Sequence, residues 1–234
     1  MKTTAILSYH KVGSPPAGSP KTWFYVPEET LISQLNYFKE NGWTVIAPAT
    51  FLDGLVEPDV LPERSALLTF DDGYRSMLTV TLPILLRFGY PAVLFAPTGF
   101  IGGRNTFDPH EPEEEICGWE ELKELERRGV SVQSHGVSHR TFSDLDPASQ
   151  EEELLRSKIS LETGLEKPVE VFAYPYGDNG TDPRRTGEAL RRAGYRAAFR
   201  YKGGVARLPA QDPYHLPRLA MGPDTDLRAE LGDR

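Results

Sequence analysis

In Ser65-Ala66-Leu67-Leu68-Thr69-Phe70-Asp71-Asp72-Gly73-Tyr74 a short apolar run meets two carboxylates and a glycine without a spacer. A continuous apolar run of this length reads as a strand buried on both faces, as in parallel sheets. Outward from it the pattern recurs. Residues 4–9 read as a first buried strand and Ala92–Ala96 as another. Residues 130–133 form a strand that runs into Ser134-His135, and 169–173 one that ends in Tyr174-Pro175-Tyr176-Gly177. Shorter strands are expected at 44–46 and 195–199.

Helical spacings lie between the strands. Residues 28–41 carry Leu31, Leu35 and Phe38 on one face and stop at Gly42. Residues 77–88 look helical, with Pro83 marking a start or a kink. Residues 119–128 turn Leu122 and Leu125 inward. Residues 149–163 carry Leu154, Leu155, Ile159 and Leu161, and 186–193 end at Gly194. Strands alternating with helices make a βα repeat, hence an α/β fold with a mostly parallel sheet or barrel.

The 234 residues fit one domain, taken as 1–234. With 26% charged and 39% hydrophobic residues the composition is ordinary for a globular chain. The single cysteine, Cys117, excludes an intramolecular disulfide and any multi-cysteine metal site, and it reads as an inert thiol. A net charge of −8 argues against a nucleic-acid partner, because phosphate binding needs a clustered basic face. No stretch approaches the ~18 apolar residues of a membrane span. The opening Met1-Lys2-Thr3-Thr4-Ala5-Ile6-Leu7 is too short an apolar run for a signal peptide's central region.

Three polar clusters sit where a strand gives way to a loop: Asp71-Asp72, His135-Gly136-Val137-Ser138-His139, and Tyr174-Pro175-Tyr176-Gly177. The C-terminal ends of parallel strands are where sites form. His135 and His139, four apart, share a face on a helical turn and can reach one metal. Two histidines plus one carboxylate make a zinc or iron set with open positions. In that reading Asp72 binds the metal and Asp71 accepts a proton from the water it activates. The alternatives are a surface histidine pair, and one aspartate capping a helix while the other is solvated.

Thr69-Phe70-Asp71-Asp72-Gly73-Tyr74, Ser134-His135-Gly136-Val137-Ser138-His139 and Phe172-Ala173-Tyr174-Pro175-Tyr176-Gly177 resemble, in order and spacing, the first three motifs of the polysaccharide deacetylases. These are carbohydrate esterase family 4, the NodB homology domain, and the resemblance covers roughly residues 60–205. It implies a distorted (β/α) barrel and metal-dependent removal of acetyl groups from glycans. Asp71 is then the general base, and Asp72, His135 and His139 are the ligands of a divalent metal, zinc first, with nickel or cobalt as substitutes. The backbone N–H of Tyr176 helps hold the oxyanion, a contribution of about 3–4 kcal/mol for such a donor.

Two departures point to a subgroup. The third motif commonly begins Phe-Arg, and here Ala173 stands in the arginine's place. The usual C-terminal Leu-x-Leu-x-His, source of a general acid, is not recognisable. Ser8-Tyr9-His10-Lys11-Val12, the stretch 35–46 and the ending Asp212-Pro213-Tyr214-His215-Leu216-Pro217-Arg218 resemble the poly-β-1,6-N-acetylglucosamine deacetylases of biofilm formation, the intercellular adhesin deacetylases among them. Their domain looks circularly permuted. On this resemblance His10 is the general acid, and Arg218 replaces the missing arginine beside Asp71. His215 is the rival acid, read instead as an ordinary surface or strand-edge histidine.

The implied substrate is poly-β-1,6-N-acetyl-D-glucosamine. Another glycan (peptidoglycan, chitin oligomers or xylan) and an inactive glycan-binding module are the alternatives. An exported polymer implies a secreted or cell-surface protein with its export signal absent from this chain, in preference to a cytoplasmic one. The chain is taken as a monomer. Trp23-Phe24-Tyr25 and Phe100-Ile101 suggest a sugar platform or a peripheral membrane or cell-wall contact, with plain packing as the adopted reading. Trp119 borders the site or packs in the core. Asp178 and Asn179 are candidate substrate contacts. The acidic loop 111–115 reads as a solvated face, and neighbouring His110 is given no role.

Overall fold

The computed structural model describes residues 2–232; the ends of the 1–234 span, Met1, Asp233 and Arg234, lie outside the described residues. Along the chain run β1 (Lys2–Tyr9), β2 (Lys11–Val12), β3 (Tyr25–Val26), α1 (Glu28–Glu40), β4 (Thr44–Val45), α2 (Pro48–Val56), β5 (Ser65–Phe70), α3 (Leu82–Phe88) and β6 (Ala92–Ala96). Then come α4 (Trp119–Arg127), β7 (Val130–Ser134), α5 (Pro147–Leu165), β8 (Val171–Ala173), α6 (Pro183–Arg192), β9 (Ala197–Phe199), β10 (Ala206–Leu208), β11 (Leu219–Ala220) and α7 (Leu227–Leu231). No helix among the described residues is long and apolar enough to cross a membrane.

The main sheet has the order β10-β1-β5-β6-β7-β8-β9, with β4 on β5 and β11 on β1. All these pairs are parallel except β1 with β10. Strand alternation divides the core into two layers. Leu7, Leu68, Phe70, Leu94 and Phe172 pack toward Leu35, Phe38, Leu122, Leu125, Leu154 and Leu161 of the helices. Ile6, Leu67, Val93, Phe95, Ala173 and Phe199 face the inside of the curl, where Phe51 and Leu52 of α2 fill the space. The same parity carries Ser8 and His10, Thr69 and Asp71, His135, and Tyr201 to the inward side at the strand ends.

The expected distorted barrel is a curled mixed sheet, a half-barrel, whose open side one irregular segment bridges. Ala198 N–H donates to Pro213 O (2.9 Å), Leu216 N–H to Ala198 O (3.0 Å) and Arg200 N–H to Leu216 O (2.9 Å). A few residues on, β11 pairs with β1 at Leu7↔Leu219 and Ser8↔Ala220. Residues 213–220 thus join β9 to β1, and Arg218 rides on that bridge.

Several elements differ from the sequence expectation for definable reasons. The helix at 77–88 is two pieces, a π-turn over Met77–Thr81 and then α3, with Pro83 in the first turn of α3. Proline has no N–H to give, and the widened turn absorbs the loss. Helix α5 begins two residues early because Asp146 accepts from Ser149 N–H (2.8 Å) and Pro147 opens the first turn. On α5 Leu154 and Leu161 are buried, whereas Leu155 and Ile159 are exposed. The spacing does not announce α2, whose Pro48 and Gly54 read as turn residues. Pro48 opens the helix, and a Cβ at Gly54 would stand 2.4 Å from Leu61, so glycine allows that close packing. Strand β8 is shorter than 169–173, and β10 and β11 are too short to read from pattern.

Candidate active site

Asp71 and Asp72 would point to opposite faces if β5 continued through both. It does not. Asp72 takes φ 73° and Gly73 φ 72°, a left-handed turn that brings both carboxylates to one cavity. His135 holds the inward position at the end of β7. The chain then turns through Gly136 (φ 79°) and reaches His139 at φ 54°. The two histidines therefore meet across a strand end and a loop, not along the helical turn that their spacing suggests. Tyr176 is also left-handed, at φ 57°. Four non-glycine residues are described with positive φ, and three of them are Asp72, His139 and Tyr176. Such conformations persist only where the surroundings hold them, and they cluster at functional sites.

His135 Nδ1 lies 2.7 Å from Ala173 O, which fixes the proton on Nδ1 and leaves Nε2 as a lone-pair donor. Nε2 of His135 and of His139 stand 3.4 and 3.0 Å from Asp72 Oδ1. The three ligand atoms lie within 4.8 Å of one another, and all three residues are buried. Asp72 Oδ1 has no hydrogen-bond partner. A buried, unpartnered carboxylate oxygen facing two imidazole nitrogens fits a divalent cation of the zinc type. Burial raises the Asp72 carboxyl, but the His139 and His135 imidazoles outweigh it and hold the group well below the usual carboxylate range.

Asp71 is held differently. Arg218 Nη1 and Nη2 donate to its two oxygens at 2.8 and 2.7 Å, and Ser8 Oγ adds a third bond at 3.2 Å. Arg218 also donates to Thr69 Oγ1 (3.0 Å) and to Arg200 O (2.6 Å), so the guanidinium is itself fixed. Arg218 gives Asp71 the guanidinium partner that position 173, an alanine, does not supply. Burial pushes the Asp71 carboxyl up, yet the Arg218 charge and its hydrogen bonds, with His135, bring it below the ordinary value. His10 Nε2 is 4.0 Å from Asp71 Oδ2. Its ring lies between Phe24 (4.7 Å) and Tyr201 (5.3 Å). Burial lowers the His10 pKa, against the opposing pull of Asp72 and Asp71.

Tyr176 stands at the mouth, its ring edge-on to His139 at 4.7 Å and its hydroxyl donating to Phe107 O (3.3 Å). His215 is away from the cavity, with Asn179 Nδ2 donating to Nδ1 (3.1 Å) and Nε2 bonded to Pro183 O (2.9 Å). That placement agrees with its reading as a strand-edge histidine. Asn179 is engaged there and does not line the cavity. Asp178 accepts from Gly180 N–H and Ser143 Oγ, so neither residue lines the cavity. Trp119 packs against α5, where a Cβ on Gly164 would strike its ring at 2.2 Å. Burial pushes the Cys117 thiol up to about 12, which keeps it unreactive.

Other residues of the cavity escaped the sequence reading. Lys11 is buried, with Nζ 2.7 Å from Glu111 Oε2 and over the rings of Tyr25 (4.6 Å) and Tyr74 (4.8 Å). Thr22 Oγ1 donates to the same Glu111 oxygen (2.7 Å), and Tyr25 donates to Glu114 (2.8 Å). The loop 111–115 is therefore not simply a solvated face. Glu111 and Glu114 dock on β2 and β3, and only Glu113 and Glu115 stay exposed. Lys11 and Glu111 are 100 residues apart, and nothing local marks the pair. Of the loop aromatics Phe24 lines the cavity, while Trp23 is tied to Asp224 (2.7 Å) and Phe100 packs on Phe107 (4.8 Å). Tyr201, also lining, has a buried hydroxyl with no partner.

Comparison with known proteins matches this architecture. The family model for polysaccharide deacetylase matches residues 59–198, a span with Asp71, Asp72, His135, His139 and Tyr176 but not His10 or Arg218. The structure of IcaB from Ammonifex degensii superposes with a TM-score of 0.81 at 26% identity, over 96% of this chain and 94% of that one. Streptococcus pyogenes deacetylase PplD, in complex with acetate, gives 0.83 at 23% identity over 98% and 97%, a likeness of fold. Among curated relatives, the poly-β-1,6-N-acetyl-D-glucosamine N-deacetylase of Escherichia coli (strain K12) is 28% identical over 95% of this chain. This chain spans only 37% of that protein's length. The Staphylococcus aureus (strain MRSA252) protein of the same name is 25% identical over 86% of this chain and 69% of its own. With more than half of its length matched by the family model and its fold shared nearly end to end, the chain belongs to the polysaccharide deacetylase family.

Proposed function

We propose that this chain is a metal-dependent N-deacetylase of poly-β-1,6-N-acetyl-D-glucosamine, acting outside the cell or at its surface. The observation that carries the chemistry is the pairing of two carboxylates in opposite states. Asp72, unpartnered, faces His135 and His139, and Asp71 beside it is saturated by Arg218. The substrate is supported by the names of relatives at 25–28% identity.

Asp72 Oδ1 and the Nε2 atoms of His135 and His139 would hold the divalent cation, and when bound it would supply Lewis-acid polarisation of the acetyl carbonyl and a water acidified toward a pKa of about 7. Asp71 takes the proton of the attacking water on a carboxylate oxygen as the new C–O bond forms. Arg218 keeps Asp71 ionised and aimed while it waits. The backbone N–H of Tyr176, presented by the left-handed turn after β8, donates to the carbonyl oxygen as it becomes negative. His10 gives a proton to the amide nitrogen, the C–N bond breaks, and acetate and a free amine result. Its lowered pKa makes the imidazolium a stronger donor for this step. Phe24 and Tyr201 wall the His10 side and limit water there.

The linkage is tested by measuring acetate release from β-1,6- and β-1,4-linked N-acetylglucosamine oligomers with metal-loaded protein and a chelated control. Metal-dependent release from the β-1,6 series is expected. Release from the β-1,4 series alone would keep the chemistry and discard the substrate. Metal bound without release from any acetylated glycan would favour a binding module.

A further inference from the structure

Helix α5 sends one carboxylate back toward the histidine loop. Glu153 Oε2 accepts from the backbone N–H of Val137 and of Ser138, at 2.6 and 3.0 Å, and Oε1 accepts from Ser138 Oγ at 2.6 Å. Two successive amide donors thus converge on a single oxygen, which a loop with consecutive inward N–H groups requires. The opposite side of the loop is held by its carbonyls. Thr98 N–H donates to Gly136 O and Gly99 N–H to Val137 O, both at 2.9 Å. A Cβ at Gly136 would lie 3.0 Å from Glu153 Oε2, so loop and carboxylate are fitted to each other.

The next residue is His139, at φ 54°. An L-residue keeps that conformation only when its surroundings over-determine it. His135 is anchored separately, by the end of β7 and by Ala173 O. On the loop before His139, Gly136 N–H donates to Ser134 Oγ (3.3 Å), residues 98–99 hold the carbonyls, and Glu153 holds the amides of 137 and 138, the two residues next to His139. We propose that Glu153 is a positioning residue for the Asp72–His135–His139 set. It fixes residues 137 and 138 so that His139 Nε2 meets Asp72 Oδ1, and it touches neither the ligands nor the cavity. The inference rests on reading that set as a metal site.

Cobalt(II) tests it, because its visible absorption reports ligand number and geometry directly. The metal-free 234-residue protein is titrated with Co2+, and the affinity is set by competition with a chelator. The variants are Glu153→Ala, Glu153→Gln, Ser138→Ala and, as a control on the solvent side of α5, Glu152→Ala. Glu153→Ala is expected to lose about 10–100-fold in Co2+ affinity, with an altered visible spectrum. Glu153→Gln, which keeps an acceptor for the two amides, and Ser138→Ala, which removes one bond of the three, should lose less. Glu152→Ala should bind like the wild type. If Glu153→Ala does not fold, weakened binding in the other two supports the proposal and unchanged binding overturns it. A lower melting temperature with unchanged Co2+ affinity and spectrum in Glu153→Ala also overturns it, since the carboxylate would then serve only the fold. Wild-type protein that binds no Co2+ removes the metal reading and this inference together.

Discussion

Asp71 and Asp72 are adjacent in sequence and opposite in circumstance. Asp72 keeps an oxygen free of hydrogen bonds, and Asp71 has both oxygens occupied by one guanidinium. Replacing Arg218 by Met leaves the Asp71 charge buried and unpaired, which should cost about 3–5 kcal/mol in denaturant unfolding at neutral pH. The sign with pH follows from the lowered Asp71 value. The pair's stabilisation is fully present above the unfolded carboxylate pKa of about 3.9 and is lost as pH falls through the folded value. The gap between wild type and Arg218→Met should therefore close in acid. The acid limb of kcat/KM should also move to higher pH in the variant, because its base protonates sooner. In the proposed mechanism His10, as the acid, sets the other limb. Its lowered pKa makes kcat/KM fall with rising pH below the ordinary histidine range. His10→Asn should cost roughly 10²–10⁴-fold in turnover and leave Co2+ binding intact, whereas His215→Ala should do neither. Loss of turnover in His215→Ala alone would reverse the assignment of the acid.

At the scale of elements, Asp71, Asp72, His10, His135 and Tyr201 come from strand ends or the turn directly after them, His139 from the loop after β7, and Arg218 from the bridge ahead of β11. That arrangement is why so much was legible. Asp71-Asp72, His135…His139 and Tyr174-Pro175-Tyr176 each lie within a few residues of a readable strand, so local pattern located them. His10 and Arg218 needed the family resemblance: His10 follows the readable β1 but is a lone histidine there with no partner pattern, and Arg218 precedes β11, whose two residues leave no period to detect. Lys11 and Glu111 were invisible to both approaches. Their ion pair closes a loop of 100 residues and depends on tertiary packing alone. It also makes a prediction. Lys11→Met should destabilise the fold by about 3 kcal/mol or more and speed hydrogen exchange in residues 104–116, because it strands a nearly buried Glu111 charge. The double variant with Glu111→Gln should recover much of that stability. Equal losses in the single and double variants would mean that the pair ties nothing down.

Across the whole molecule, the half-barrel separates two tasks. Its helix-covered layer and the α2 plug supply burial, and the strand ends on one side carry the chemistry. The net charge of −8 matters at this scale too. An acetylated glycan is neutral, but each turnover creates an amine that can protonate. Partly deacetylated β-1,6 oligomers should thus bind more tightly than acetylated ones at low ionic strength, and the difference should shrink as salt screens it over about 10 Å. A preference unchanged by salt would show that the whole-protein charge has no part in it.

The central claim is that Asp72, His135 and His139 hold a divalent cation without which the chain removes no acetyl groups. The most direct measurement is acetate release from β-1,6-linked N-acetylglucosamine oligomers by metal-free protein titrated with Zn2+, beside the Asp72→Ala variant. Release should rise from nothing, saturate at one equivalent of Zn2+ in the wild type, and stay absent in the variant. Full release by rigorously metal-free protein, or Zn2+-dependent release that survives in Asp72→Ala, would contradict the account.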